Sequence, residues 1–393
     1  MRLGRKLAAK LLYLTKKRSF WLTTFILAGG ALALGIKQFS SRNSCVNRPQ
    51  IGSYYYPWYT TSRWENDQDV LGKPSLGFYD NSDKKVINMH LAWASEAGID
   101  YLIYSWLGTD SRKHKIEIER SENFIKQAHN SGIKVMPLYE TRLALNQPPD
   151  NIDLDKKISS TEKAGDRFIN DMLYFANQAK ESGVFLKVNE CPRISIYLAR
   201  NLINSESYFE RLKIDLAKRG QCLDITADVA FWGSSHKPLA RSVRSSKEQW
   251  DWLAKNFSTV FGYNMYSDNL NVYGINKNMA FDNLYLQAKR KNQKAWKERS
   301  DSAGLKYQYS VQPGYDDRAL RGMDRPAIPP SSVFLRRDWD RIFANLEYGD
   351  HVLITSFNEW YEGTAIEPSE QDGEKLINAN QKIATRIKNK FCM

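Results

Sequence analysis

From Ile51 onward, hydrophobic and polar positions follow a repeating order along the chain. A short apolar run is followed by a loop, an amphipathic stretch, a glycine and the next apolar run. The short runs have the length and composition of buried parallel strands. The predicted strands are Ile51–Tyr56, Ile99–Tyr104, Lys134–Tyr139, Arg193–Tyr197, Asp224–Ala230, Thr259–Tyr263, Lys306–Val311 and His351–Ser356.

The amphipathic stretches between these runs have helical periodicity, and glycines such as Gly98 and Gly132 lie where a helix gives way to the next strand. Strict alternation of strand and helix predicts a parallel sheet with right-handed crossovers. Eight such units favour an α/β fold of the (β/α)8 TIM barrel type with enlarged βα loops. An open doubly wound sheet is the alternative, and it is disfavoured because no predicted strand precedes a G-x-G-x-x-G loop. The predicted helices are Lys84–Ala97, Glu117–Ser131, Thr161–Ser182, Glu206–Lys218, Met279–Ser302, Asp338–Leu346 and Gly373–Lys388.

The first 50 residues have a different character. Residues 1–18 contain seven basic residues and no acid, and residues 19–36 form an uncharged apolar run of about the length that a bilayer-spanning helix needs. Residues 37–50 are a polar tether, and residues 51–393 form the predicted barrel. This arrangement predicts a single-pass signal-anchor helix with the N-terminus cytoplasmic and the barrel on the extracytoplasmic side.

A cleaved signal peptide is the competing interpretation of this N-terminal segment, and it would make the protein secreted. Ala31-Leu32-Ala33 resembles a cleavage site. It lies inside the apolar run rather than after it, which favours an uncleaved anchor and a lipid bilayer as partner.

Charge and cysteine content narrow the possible functions. The formal net charge is +13, of which residues 1–18 contribute +7, so 13 − 7 = +6 remains for the rest of the chain. That mild excess forms no dense basic cluster, and we expect no nucleic-acid partner. Cys191 and Cys222 lie close to predicted strands and are candidates for a disulfide, although the sequence does not choose among the three full pairings of four cysteines. Neither C-x-x-C nor H-E-x-x-H occurs, and we expect no metal or other cofactor.

Aromatic residues follow nearly every predicted strand. Active sites of TIM barrels lie at the C-terminal ends of the strands, so these residues are expected to line a cleft. Taken singly, each of them is more typical of core packing than of ligand binding, but together they are typical of a surface on which sugar rings stack. The candidate substrate-binding residues are Tyr56, Trp58, Tyr59, Trp106, Tyr139, Glu140, Trp232, Tyr263, Tyr315, Asp316, Arg318, Asn358, Trp360 and Tyr361.

The most informative segment follows the eighth predicted strand and places Glu359 and Glu362 three residues apart beside two aromatic residues. A turn after Trp360 would aim both carboxylates into one pocket, where one can donate a proton while the other acts as base or nucleophile. Arg318 is a candidate counter-charge that keeps one carboxylate ionised. The alternative is a pair of acids at a helix N-terminus. The buried strand that precedes the pair favours a catalytic role in glycoside cleavage over this alternative.

Four segments of the chain carry a resemblance to a known family: Tyr55–Tyr59, Gly98–Trp106, Pro313–Asp317 and Ser356–Thr364. In this order along the chain they resemble glycoside hydrolase family 99, the endo-α-1,2-mannosidase and mannanase family. The resemblance implies a TIM barrel and retention of anomeric configuration without a metal. It also implies that Glu359 acts as base on the substrate 2-hydroxyl, which closes onto C1 to give a 1,2-anhydro sugar. Glu362 would protonate the leaving oxygen and then activate water.

The chain departs from the family pattern at three places. Tyr361 stands where the family commonly has His, Leu138-Tyr139-Glu140 stands near the position of a family His, and Arg321–Pro326 replaces an Arg-Pro-Trp-Asn motif. Ile366-Glu367-Pro368 instead resembles family-99-like domains associated with bacterial surface-polysaccharide biosynthesis.

These observations support three functions. The leading hypothesis is an exported, membrane-anchored, endo-acting glycoside hydrolase that cleaves α-mannoside or related α-glycan linkages in an oligo- or polysaccharide. A protein that assembles or remodels polysaccharide on a similar barrel is the second, and a non-catalytic carbohydrate-binding barrel is the third.

Overall fold

The computed structural model describes residues 45, 47–66, 70–231, 245–266 and 281–392. The predicted membrane anchor, residues 19–36, lies outside these residues and stays a prediction. Within the described part of the chain, no helix is both long and apolar enough to cross a bilayer. The chain divides into a large compact unit, Pro49–Thr385, and a small one that contains Cys45 and Cys392.

The described residues contain the following strands and helices, labelled in chain order. The strands are β1 Gln50–Tyr55, β2 Tyr101–Trp106, β3 Lys134–Tyr139, β4 Ile152–Asp153, β5 Lys187–Val188, β6 Cys191–Ile196, β7 Leu202–Ile203, β8 Asp224–Asp228, β9 Thr259–Phe261, β10 Lys306–Tyr307, β11 Tyr309–Val311 and β12 His351–Ile354. The α-helices are α1 Thr61–Asn66, α2 Lys84–Glu96, α3 Ser111–Ala128, α4 Thr141–Ala144, α5 Ala164–Ala179, α6 Glu206–Lys218, α7 Ser246–Asn256, α8 Phe281–Ser302, α9 Arg318–Arg321, α10 Ser332–Phe343 and α11 Lys375–Phe391, and Ala199–Asn201 is a 3-10 turn.

Nine of these strands form one parallel sheet in the order β10-β9-β8-β6-β3-β2-β1-β12-β11. The seventh predicted strand is split at Gln308, whose N–H donates to the Val260 carbonyl at 3.0 Å. Its first part, β10, pairs with β9, and its second part, β11, pairs with β12. One short stretch of chain therefore joins the two ends of the sheet and nearly closes it. The predicted TIM barrel is confirmed, and the open sheet is not adopted.

The predicted helix boundaries were less accurate than the strands. Helix α10 begins after Ser331, whose hydroxyl accepts from the Phe334 N–H, several residues before the predicted start at Asp338. Helix α7 was not predicted at all, although Ser245 and Glu248 form a capping box at its start. Both errors arose because the hydrophobic pattern does not contain the N-cap residues that mark where these helices begin.

Side chains along each barrel strand alternate between the barrel interior and the surrounding helices, as the two-residue period of a strand requires. Tyr54 and Ile103 belong to the interior cluster. Tyr55, one position along, points the other way and stacks on Phe124 of α3 with ring centroids 4.4 Å apart. The interior is crowded, because a Cβ on Gly52 would lie 2.4 Å from the Tyr101 ring. This alternation decides which residues at the strand ends reach the barrel mouth.

Two disulfides join the four cysteines. Cys191 at the start of β6 bonds to Cys222 just before β8, with Cα atoms 5.3 Å apart, which confirms the candidate pair. Cys45 bonds to Cys392.

We expect the Cys191→Ala/Cys222→Ala variant to be less stable to unfolding by about 3–4 kcal/mol. The bond links residues 31 positions apart, and removing it returns loop-closure entropy to the unfolded chain. Urea unfolding of the variant and the parent, both oxidised, measures the difference. An unchanged unfolding midpoint would contradict this expectation.

Candidate active site

The loop after β12 is folded back on itself and carries both predicted catalytic residues. Ser356 closes it, because its N–H donates to the Thr364 carbonyl at 2.9 Å and its hydroxyl accepts from the Glu359 N–H at 2.7 Å. Gly363 has a φ of +57°, and a Cβ there would lie 2.7 Å from the Asp316 carbonyl oxygen. The turn that presents Glu359 and Glu362 together therefore depends on glycine at this position.

Asn358 fixes this loop to the first strand. Its side-chain oxygen accepts from the Tyr56 N–H at 2.8 Å, and its amide donates to the Tyr56 carbonyl at 3.0 Å. The side chain is fully buried. The sequence predicted Asn358 as a substrate-binding residue. In the structure, both the oxygen and the nitrogen of its side-chain amide form hydrogen bonds with the backbone of Tyr56.

Glu359 is 4% exposed, and its carboxylate accepts from the Tyr361 N–H at 3.0 Å. The pKa of Glu359 is raised to about 8, mainly by burial and secondly by the nearby Glu362 carboxylate. The backbone N–H groups of Tyr361 and Glu362 and the Arg63 guanidinium oppose that shift because they favour the anion. Near neutral pH this carboxyl therefore holds a proton that an ordinary glutamate would have lost.

Glu362 lies beside Glu359 but is more accessible, with 17% of its side chain exposed. The Tyr263 hydroxyl donates to it at 3.2 Å and the Tyr315 hydroxyl at 3.5 Å. Burial raises the pKa of Glu362, and Arg321, whose Nη2 lies 3.7 Å from Oε1, opposes the rise. The two glutamates thus form an interacting pair, in which the Glu359 carboxyl is buried and the Glu362 carboxyl is partly exposed to the cavity.

Glu362 faces a cavity of about 290 Å³ at the carboxyl ends of the strands. Asp228 at the end of β8 and Tyr263 just after β9 place the cavity at the face where TIM-barrel chemistry occurs. Its lining combines aromatic and charged groups, namely Tyr197, Arg200, Asp228, Tyr263, Asn264, Tyr266, Tyr315, Arg321, Arg325 and Glu362.

A larger cavity, of about 530 Å³, lies between α8 and α10 at the opposite, amino-terminal end of the strands. Neither glutamate of the pair lines it. We therefore assign the candidate site to the smaller cavity beside Glu362, where the coupled carboxyls are.

Glu140 adds a third buried carboxyl to the barrel mouth. The side chain is 7% exposed, and the Ser105 hydroxyl donates to it at 2.9 Å. Burial raises the pKa of Glu140 to about 7, with smaller contributions from the charges of Asp228 and Glu362. The structure therefore brings this predicted residue together with the glutamate pair.

Aromatic rings of the first and last loops form a wall beside Glu359. Tyr56 and Trp58 stack with centroids 4.4 Å apart, and Tyr59 and Tyr361 stack at 5.7 Å. Arg63 lies over the rings of Trp58 and Tyr361 at 5.6 and 5.1 Å, and its Nε donates to the Tyr361 hydroxyl at 2.9 Å. The four predicted aromatics are thus brought together, and Arg63 is an addition that no sequence motif indicated.

Trp106 and Tyr139 are not part of this site, contrary to the sequence prediction. The Tyr139 hydroxyl donates to Asp171 of α5 at 2.7 Å, and Trp106 packs between Tyr139 and Phe175 of the same helix. Both residues occupy strand positions that face the helices rather than the barrel interior. They are core residues, because side chains alternate in direction along a strand and these two point away from the barrel interior.

Asp316, Arg318 and Trp360 line a neighbouring cavity of about 400 Å³ rather than the one beside Glu362. Arg318 binds Asp316 through two hydrogen bonds of 2.8 and 2.7 Å, so it is not the counter-charge of the pair. The Trp360 indole N–H donates to Glu367 at 2.8 Å. Trp232 lies outside the described residues.

Four charged residues of the Glu362 cavity were not identified from the sequence: Asp228, Arg200, Arg321 and Arg325. Asp228 accepts from the Tyr263 N–H at 3.1 Å and from Arg200 at 2.7 Å. The two-residue period of β8 would have placed Asp228 inward, on the same face as Thr226, whose hydroxyl bonds to that of Ser195 on the neighbouring strand β6. Arg200 lies in the 3-10 turn after β6, Arg321 at the end of α9 and Arg325 just after it, and none of them belongs to a recognisable motif.

The described residues contain no cluster of three His, Cys, Asp or Glu side chains arranged to hold a metal ion. The polar groups around the cavity are instead arranged as hydrogen-bond donors and acceptors. They can bind hydroxyl groups and exchange protons.

Comparisons with known proteins relate this barrel to glycoside hydrolases. No protein-family model matches the chain. A "Glycoside hydrolase-like protein" superposes with a TM-score of 0.65 at 17% identity, covering 88% of this chain and 94% of the other. The GH99 endo-α-mannosidase from Bacteroides thetaiotaomicron superposes with a TM-score of 0.60 at 15% identity, covering 86% and 98%. A family 5 mannosidase from Rhizomucor miehei gives 0.51 at 9%, covering 88% and 96%. The resemblance to family 99 is thereby confirmed at the level of the fold.

We expect Glu140→Gln to become more stable relative to the parent as pH rises from about 4.5 to about 7. The raised pKa means that the folded parent retains a proton that the unfolded chain has already lost, so the parent loses stability across this interval. The neutral amide avoids that loss, which amounts to at most about 3 kcal/mol above pH 7. Urea unfolding at pH 4.5 and pH 8 measures it.

Glu370→Gln is the matched control, because Glu370 is an exposed acid paired with Lys73. It should show little change in relative stability between the two pH values. An equal stability difference for Glu140→Gln at pH 4.5 and pH 8 would refute the raised pKa.

Proposed function

We propose that the protein is a glycoside hydrolase that cleaves α-mannoside or related α-glycan linkages. The observation that carries this proposal is the pair of interacting carboxyls at the mouth of the barrel, the buried Glu359 and the partly exposed Glu362. Two carboxyls on either side of a sugar, one protonated and one basic, are the groups that glycosidic cleavage uses. The likeness in fold to a GH99 endo-α-mannosidase supports the choice of substrate class.

In the proposed reaction Glu359 removes the proton from the 2-hydroxyl of the sugar. The freed 2-oxygen attacks C1, the bond from C1 to the leaving oxygen breaks, and Glu362 gives its proton to that oxygen. Glu362, now ionised, takes a proton from water, the resulting hydroxide opens the 1,2-anhydro ring at C1, and Glu359 returns its proton to O2. Two inversions at C1 give net retention.

The electrostatics of the site support these two assignments. A base whose conjugate acid has a pKa of about 8 is better matched to a sugar hydroxyl than an ordinary carboxylate is. Burial favours the protonated form of Glu362, as an acid requires, and its greater exposure to the cavity leaves room for a leaving group and then for water. The Tyr263 and Tyr315 hydroxyls hold its carboxyl in place.

In this proposal, the aromatic wall and the cavity bind different parts of the substrate. The half-buried Trp58, which stacks on the buried Tyr56, offers a ring face for sugar C–H groups. Asp228 and Asn264 in the cavity bind hydroxyl groups. A site with contacts on both sides of the glutamates suits cleavage within a glycan chain, in line with the proposed endo action.

We further propose that residues 19–36 anchor the enzyme in a bilayer with the barrel on the extracytoplasmic side. The uncharged run after a basic segment supports this orientation. The two disulfides support it as well, since such bonds persist in oxidising compartments.

The proposal predicts that Glu362→Gln and Glu359→Gln each lower kcat on an α-1,2-linked mannan oligosaccharide by about 10²–10⁴-fold, because each removes a proton-transfer group. Release of reducing ends by the full chain measures this loss, and Glu370→Gln is the control that changes an acid to an amide elsewhere. Unchanged turnover in both glutamate variants would end the proposal. Longer glycans as the main product would favour the remodelling function, and binding without turnover in the parent would favour a binding barrel.

We also expect kcat/KM to rise as pH is raised towards about 8, because Glu359 must lose its proton before it can act as base. Arg63→Gln should move this rising limb to higher pH, since Arg63 favours the anionic form of Glu359. A pH series of kcat/KM for both proteins tests this expectation. A rising limb below pH 5, or one that Arg63→Gln moves to lower pH, would contradict the assignment.

A further inference from the structure

The carboxyl of Glu367 lies in the same loop as the proposed catalytic pair, although the proposed reaction gives it no part. It belongs to the Ile366-Glu367-Pro368 motif, and its backbone N–H donates to the Phe357 carbonyl at 2.8 Å. The side chain is fully buried, yet both of its oxygens have hydrogen-bond partners. Keeping a carboxyl away from water is costly unless such bonds hold it, so its partners indicate its role.

Three side chains from separate segments meet at this carboxyl. The Tyr79 hydroxyl and the Trp360 indole N–H both donate to Oε2 at 2.8 Å. The Nε2 atom of His90, in α2, lies 3.1 Å from Oε1. An indole N–H can only donate, so this position requires an acceptor such as a carboxylate oxygen.

The hydrogen bonds around His90 determine which of its ring nitrogens carries the hydrogen. The Asn81 side-chain oxygen accepts from the Tyr59 N–H at 2.9 Å, so its amide nitrogen is the atom that donates to the Tyr55 hydroxyl at 3.2 Å. The Tyr55 hydroxyl hydrogen is then directed at His90 Nδ1, which lies 3.1 Å away. The ring hydrogen is therefore on Nε2, and all three partners of the Glu367 carboxyl are donors.

Trp360 connects this buried carboxyl to the proposed catalytic pair, because it lies between Glu359 and Glu362 in the chain. Its backbone N–H donates to the Tyr59 hydroxyl at 3.0 Å, and its carbonyl accepts from the Gly363 N–H at 3.2 Å. Because the indole N–H is bonded as well, Trp360 is fixed at both its backbone and its ring. A shift of the turn that presents the two glutamates would strain or break at least one of these bonds.

We propose that Glu367 is a positioning residue that sets the separation of Glu359 and Glu362 through its bond to the Trp360 indole. This inference rests on the proposed hydrolase function, in which the two glutamates act on the same sugar. Proton transfer there is sensitive to position, since a displacement of about 1 Å can lower a rate by about 10²-fold. Glu367 itself, which is 1% exposed, acts only through Trp360.

Turnover of an α-1,2-linked mannan oligosaccharide by the full chain tests the proposal in Glu367→Gln, in Trp360→Phe and in the double variant. Glutamine keeps the size of the side chain but has one acceptor oxygen for three donors, and phenylalanine removes the indole N–H. Each single variant should lower kcat by about 10–100-fold and change KM by less than about threefold, because the catalytic pair moves while the other substrate contacts stay. The double variant should be no more than about twofold slower than the slower single variant, because both substitutions remove the same bond.

Tyr79→Phe is the matched control for a general loss of stability. It removes the other donor to the same carboxyl oxygen, at the same distance, but no bond to the catalytic loop. Urea unfolding should show that this variant is less stable than the parent, as the loss of a hydrogen bond to a charged group predicts. Its kcat should stay within about twofold of that of the parent, because the Trp360 bond is intact.

Titration of Glu359 tests the same proposal without turnover. Its carboxyl signal, followed by carbon-13 NMR and assigned with Glu359→Gln, reports the pKa that burial and Glu362 raise to about 8. Loosening the turn weakens both causes, so Glu367→Gln and Trp360→Phe should lower this pKa, whereas Tyr79→Phe should not. Trp360→Phe changes no charge, so a shift in that variant reports geometry, and it serves alone if the glutamine variant does not fold.

An unchanged kcat or an unchanged Glu359 titration in Trp360→Phe would overturn the proposal, and so would an equal loss of kcat in Tyr79→Phe. A double variant whose loss is the product of the two single losses would also overturn it, since the two residues would then act independently. If the parent shows no turnover but the titration shifts as expected, the hydrolase proposal fails and the positioning of the pair stands. Turnover by the parent with an unshifted titration in the variants would refute only the present inference.

Discussion

The arrangement of the barrel mouth depends on keeping two carboxyls buried side by side. An isolated buried carboxylate is costly, so the surrounding groups have to hold each one. Backbone N–H groups of the loop hold Glu359, and tyrosine hydroxyls hold Glu362. Asn358 and Ser356 in turn fix the loop to the first strand and to itself. The same burial raises the pKa of both carboxyls, which makes the pair suited to proton transfer.

Much of the fold and the centre of the site could be predicted from the sequence. The eight predicted strands overlap the barrel strands because a buried parallel strand is a local apolar run, and the glutamate pair could be located because it directly follows one of them. The error with Trp106 and Tyr139 arose because every aromatic residue at a strand end was treated alike. Side chains alternate in direction along a strand. Applied strictly, this rule predicts that the Trp106 and Tyr139 side chains point towards α5 and that the Asp228 side chain points into the barrel.

The remaining site residues could not be predicted because they are brought together only by the tertiary fold. Arg63 lies in α1, Arg200 after β6 and Arg321 at the end of α9, and no local pattern connects them. Each arginine affects the site through its positive charge, which acts on a carboxyl or a cavity that other segments of the chain form. Substitutions at such positions change the charge of the barrel mouth without disturbing the barrel, which is how one TIM barrel can acquire different functions.

The stereochemical course of glycan cleavage tests the account most directly, because it reports what the two carboxyls do at C1. Proton NMR of the first turnovers on an α-1,2-linked mannan oligosaccharide shows which anomer the protein releases before mutarotation. The account predicts that the α-anomer appears first, since Glu359 acts through the sugar 2-oxygen and Glu362 then delivers water. Initial release of the β-anomer would mean direct attack of water on the substrate and would contradict the roles assigned to the pair.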